Sequence, residues 1–146
     1  MDDDRAIVAQ LLGREPSGAF TVVVRSATGA PMVIRNAPFM DDGTPMPTLY
    51  WLCDPELLTA ISRLEAAGGV RSAEAAIDAA SIADAHARYE AERDALIPVD
   101  HVGPRPTGGV AGTRTGVKCL HAHYAYLLAG GDDPVGHWVH EQLAAS

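Results

Sequence analysis

Every stretch of this 146-residue sequence that reads as a β-strand lies before residue 54. Phe20-Thr21-Val22-Val23-Val24-Arg25 is a β-branched run bounded by glycine, and Met32-Val33-Ile34-Arg35 is a second. The link Ser26-Ala27-Thr28-Gly29-Ala30-Pro31 between them reads as a hairpin loop. A Pro/Gly/Asp-rich loop from Pro38 to Pro47 leads into a third strand, Thr48 to Cys53. With no strand after that point, the βαβ alternation of a doubly wound nucleotide fold is missing. The pattern predicts an α+β fold: an N-terminal antiparallel sheet of about three strands packed with four to five helices.

The helices are legible from their ends. Asp4 to Leu12 is a short helix stopped by Gly13. Asp54 caps the next one, Pro55 fits its first position, and Glu56 meets the positive end of its dipole. Leu57, Leu58, Ile61 and Leu64 form its apolar stripe, and Gly68-Gly69 end it. Ser72 to Leu96 contains neither Gly nor Pro and predicts one long helix. Lys118 to Ala129 reads as a helix ended by Gly130-Gly131, and Asp133-Pro134 starts a last one. The length suits one domain over residues 1–146. Its N-terminal helix and hairpin part covers 4–53, and its helical part, 54–146, is interrupted by a Gly/Pro-rich loop at 98–117.

Composition narrows the function. Apolar residues make up 47% of the chain but aromatic ones only 5%, so the core is thin and a partner surface is expected to help, a homo-oligomer included. No stretch reaches the ~18–20 apolar residues of a membrane helix. The acidic start Met1-Asp2-Asp3-Asp4 is the reverse of a signal peptide, and two cysteines cannot build a disulfide framework. A cytoplasmic location is the expectation. A net charge of −8 argues against sequence-independent nucleic-acid binding. The charge is uneven, however: His101 to Gly131 contains no Asp or Glu but holds Arg105, Arg114 and Lys118. Such a patch points to a small anionic ligand or an acidic protein partner.

The richest local chemistry is Gly116-Val117-Lys118-Cys119-Leu120-His121-Ala122-His123-Tyr124. At about 100° per residue, Cys119 and His123 share a helix face while His121 points away. Lys118 and the helix dipole would both favour a Cys119 thiolate. Three readings stay open. Cys119 and His123 could hold zinc together with Cys53 and His86; Cys119 could be a nucleophile with a histidine base; or both could be structural. The glycines from Gly108 to Gly116 run into the same helix, and their free N–H groups would cradle an anion beside Arg114 and Lys118. His86, Tyr89 and Arg93 form a titratable stripe that joins this site if buried and is plain surface if not. Arg105, Arg114, Lys118, His121, Tyr89 and Arg93 are therefore the candidate ligand-binding residues, and Cys119, His123 and His86 the candidate catalytic ones.

The run Asp42-Gly43-Thr44-Pro45-Met46-Pro47-Thr48-Leu49-Tyr50-Trp51-Leu52, then Ala85-His86 with Tyr89 and Glu92-Arg93-Asp94-Ala95, then Lys118-Cys119-Leu120-His121-Ala122-His123, then Gly130-Gly131-Asp132-Asp133-Pro134 resembles the domain-of-unknown-function 501 family, found mainly in actinobacteria. The resemblance implies no assigned activity. It does imply a gene neighbourhood with a septum-formation initiator and an exopolyphosphatase-like protein, which makes phosphate chemistry or a division-linked binding role thinkable. The expectation is a binding or regulatory domain. The alternatives are a hydrolase or transferase acting on a phosphorylated anion, and a small metalloprotein with structural zinc.

Overall fold

The computed structural model describes residues 2–145. Its order is α1 (Asp2–Leu12), β1 (Phe20–Arg25), β2 (Pro31–Asn36), β3 (Tyr50–Leu52), α2 (Pro55–Ala66), α3 (Gly69–Ala76), α4 (Ala79–Asp94), α5 (Leu120–Leu128) and α6 (Pro134–Ala145). A short 3-10 turn, Val110–Gly112, lies within the loop between α4 and α5. The three strands form one antiparallel sheet in the order β1-β2-β3, as the α+β reading requires. No helix among the described residues is long and apolar enough to cross a membrane.

Strand alternation gives the sheet two apolar faces. Ile34, Trp51 and Val22 pack with Val8, Leu11 and Leu12 of α1 on one side. Val33 and Leu52 face the larger core built from the other helices. The register shifts between Val22 and Val24. This bulge lets two residues of equal parity serve opposite faces, Val22 toward α1 and Val24 toward the main core.

The single long helix expected from Ser72 to Leu96 is two helices. Ile77 and Asp78 are extended, at ψ 135° and 133°, although neither is a helix breaker. The reason is the phase of burial. α3 buries Gly69 and Ala73, with Ile77 packed on the main core just beyond them. α4 buries Ile82, Ala85, His86, Tyr89 and Arg93. On one straight helix at about 100° per residue those two stripes would lie on roughly opposite faces. Breaking the helix lets both face inward, and six helices result where four to five were expected.

The polar stripe of α4 is interior. Tyr89 and Arg93 are both 0% exposed and His86 is 1%. The Tyr89 hydroxyl accepts from the N–H groups of Leu49 (2.6 Å) and Tyr50 (3.0 Å), pinning the chain at β3. Arg93 donates to the carbonyls of Pro47 (3.0 Å), Gly108 (2.7 Å) and Pro106 (3.4 Å), with Asp94 at 2.9 Å balancing its charge. One guanidinium thus ties the loop before β3 to the loop before α5. Arg93→Met keeps the bulk but strands those carbonyls and the Asp94 partner, so it should lower the unfolding free energy by about 3–5 kcal/mol in urea titrations. Arg93→Lys should recover only a small part of this, because a point ammonium cannot span the same fork.

Candidate functional site

The acid-free segment is matched by carboxylates from three other helices. Glu90 of α4 accepts from Gly108 N–H at 3.0 Å and lies 3.6 Å from Arg114. Glu74 of α3 accepts from Val117 N–H at 3.2 Å. Glu65 of α2 accepts from Leu120 N–H, at the start of α5, at 2.7 Å. Three of the donors along this approach to α5 are therefore held by the protein's own glutamates. Others close on the loop itself, with Gly109 N–H on Thr113 O at 2.7 Å.

His86 fastens the same loop through both ring nitrogens. Its Nδ1 accepts from Val110 N–H (3.0 Å), so Nε2 carries the proton and donates to Gly116 O (2.7 Å). Only the neutral ring can do both, and burial holds the His86 pKa below its ordinary value. Gly109 is where the backbone comes closest, since a Cβ there would sit 2.5 Å from His86 Cβ. Arg105, Arg114 and Lys118 are exposed, Lys118 just before the helix and not within it.

Cys119 is the cap of α5 with extended backbone (φ −150°, ψ 155°), so the helical spacing expected to align it with His123 does not apply. Burial pushes its thiol pKa up and the Glu65 carboxylate adds to this; the N–H groups of Ala122 and His121 and the Lys118 charge pull down and lose. The thiolate expectation is thus reversed. Cys53 sits on the α1 side of the sheet, its thiol pushed up to about 11 by burial.

His123 is fully buried and its Nδ1 pairs with Asp133 Oδ2 at 2.7 Å, while Asp133 Oδ1 accepts Gly136 N–H at 3.0 Å and so caps α6. His123 Nε2 meets no hydrogen-bond partner among the described residues. Its ring lies 5.5 Å from that of His86 in an edge-on arrangement, which brings two of the expected ligands together. Among the described residues no group of three or more His, Cys, Asp or Glu side chains is arranged to hold a metal ion, so the set Cys53, Cys119, His123 and His86 is not assembled for zinc.

His121 does not point away from Cys119. Both line a cleft of about 260 Å³ between β3 and the start of α5. Tyr50, Trp51 and Leu52 form one wall, Cys119, His121 and Ala122 the other, and Leu12 and Arg14 stand at the end of α1. His121 Nδ1 pairs with Glu65 at 3.1 Å and Nε2 lies 3.3 Å from Ser62 Oγ. The Arg14 guanidinium stands 5.1 Å over the Trp51 ring, with no carboxylate in salt-bridge reach among the described residues.

Glu65, Glu74 and Asp133 carry this geometry and were missed as site residues. Only Asp133 had a local signal, the Asp-Pro helix start. Sequence comparison agrees with the resemblance: the family model described as a protein of unknown function (DUF501) matches residues 22–141. No curated protein and no solved structure matches the chain.

The His86 clamp sets a pH dependence. The folded pKa is below the unfolded value of about 6.5, so the unfolded chain takes up the proton first on acidification. The stabilisation is complete above about pH 6.5 and is lost as pH falls through the depressed folded value. Unfolding free energies between pH 7.5 and 5 should fall for the parent, and His86→Gln should be less stable at pH 7.5 but with a flatter slope.

Proposed function

We propose that this chain, which belongs to the DUF501 family, is a non-catalytic binding domain whose ligand site is the cleft between β3 and the start of α5. The occupant is a small molecule or a partner's side chain with a flat apolar body and one negative charge. The observation that carries this reading is Arg14. Its guanidinium is held over Trp51 at the mouth of an apolar cleft, in a molecule of net charge −8, and makes no salt bridge among the described residues. A flat apolar group would lie along the Trp51 and Ala122 walls, and its anion would meet Arg14 at a partly desolvated edge.

The Gly-rich loop serves a different purpose in this reading. The N–H groups of Gly108, Val117 and Leu120 already have carboxylate partners, and those of Gly109, Val110, Gly112 and Thr113 bond within the protein, so an incoming phosphate would have to displace these contacts. The enzyme alternative through Cys119, His123 and His86 lacks an activated group. A nucleophilic cysteine needs its thiolate, and Cys119 is shifted the other way. A base needs a reachable nitrogen, and His123 Nε2 is sealed while both nitrogens of His86 are engaged.

The probe 8-anilinonaphthalene-1-sulfonate has the required shape, an aromatic body with a single anion. It should bind with enhanced emission and slow the alkylation of Cys119 by iodoacetamide. Arg14→Gln should weaken binding about fivefold, about 1 kcal/mol, without changing the thermal unfolding midpoint. Binding that ignores Arg14→Gln and leaves Cys119 alkylation unchanged would sink the proposal.

A further inference from the structure

On the side of the sheet where β1 begins, the turn Pro98–His101 and the residue after it hold two valines, Val99 and Val102, in water. Val99 is 102% and Val102 92% exposed. The turn is closed by His101 N–H on Pro98 O at 3.0 Å. It is also held at both ends. Ile97 is buried before it, and after it the His101 ring stacks on Phe39 at 4.2 Å and bonds Pro104 O through Nε2 at 3.0 Å. The valines are therefore fixed outward, with the exposed Asp100 between them. Scattered exposed apolar residues need no explanation, but a rigid apolar knob beside an apolar groove does.

That groove adjoins the knob. It has a volume of about 270 Å³; Phe20, Ala37, Pro38 and Leu96 supply its apolar lining, and Thr21, Asn36 and Arg35 its polar one. Leu96, 42% exposed, belongs to both features, since it lines the groove and begins the segment that bears the valines. Among the described residues neither Asp100 nor Arg35 makes a salt bridge; the half-buried Arg35 stands near the Tyr50 hydroxyl. One face thus carries an apolar projection with an acid and an apolar recess with a base. Because the projection and the recess lie side by side on one face, a two-fold axis can bring each against its counterpart, so that each contact occurs twice.

We propose that this face pairs with a second copy of the chain, Val99 and Val102 of each copy seated in the groove of the other and Asp100 facing the partner's Arg35. The opposed charges also answer the repulsion between two molecules of net charge −8. The groove shares no lining residue with the β3–α5 cleft, and the valines belong to neither, so the pairing is tested separately from the ligand reading.

Analytical ultracentrifugation of the full chain, from micromolar to sub-millimolar concentration, reads the pairing directly. The expected result is a reversible species at twice 15.3 kDa. Val99→Asp with Val102→Asp should weaken it at least about tenfold while circular dichroism stays unchanged, since neither side chain supports the fold. Asp100→Arg and Arg35→Glu should each weaken self-pairing, and mixing the two variants should restore a dimer, because both charge pairs re-form across the mixed interface. A single 15.3 kDa species at every concentration overturns the proposal. So does a dimer that the valine variants leave at parental affinity, or charge variants that fail to rescue one another.

Discussion

The guanidinium of Arg93 sits at the point where three parts of the chain meet, and it has no water to fall back on. Its donors go to the carbonyls of Pro47, Pro106 and Gly108, which belong to two loops that are far apart in sequence. A buried cation is tolerated only when its charge and donors are answered, and Asp94 and Glu90 supply the charge at 2.9 and 3.8 Å. Four and seven residues earlier on the same helix, Tyr89 secures β3 and His86 secures the Gly-rich loop. α4 therefore works as a polar spine with three clamps. With few large aromatics to fill the core, hydrogen bonds to backbone give long loops a single conformation that apolar packing alone would leave loose.

The same logic explains the uneven charge. A segment without a carboxylate of its own would leave the N–H groups of Gly108, Val117 and Leu120 unanswered, were it not for Glu90, Glu74 and Glu65. The side chains of Arg105 and Lys118 stand exposed on that segment, whereas Arg14 belongs to the end of α1. It is paired with an aromatic ring and not with an acid, and it stands where a cleft opens. This contrast moves the candidate site from the glycines to the edge of β3.

The two histidines of the Lys-Cys-Leu-His-Ala-His run divide between interior and cleft. His123 joins α5 to α6 through Asp133, whose second oxygen caps α6, so one carboxylate fixes both a helix start and a helix–helix contact. His121 turns toward Glu65 and lines the cleft with Cys119. The run is dense in reactive side-chain types, yet both histidines are committed to carboxylate partners and the Cys119 thiol is shifted away from reactivity.

How much of this was legible in the sequence follows from the range of the forces involved. Strand positions, the Asp54 and Asp133 helix starts and the antiparallel sheet depend on neighbouring residues, so β1 falls on Phe20–Arg25 as the β-branched run indicates. The family is likewise legible in motifs that survive without coordinates. The break at Ile77 was latent in the changed phase of the apolar stripe, but no Gly or Pro announced it, and only burial on two faces made it necessary. Which glutamate answers which N–H, whether Arg93 meets water or carbonyls, and which face of Cys119 meets His121 are decided by contacts of long sequence separation. Local spacing carries no information about them, because hydrogen bonding and desolvation depend on what tertiary packing brings within about 3 Å.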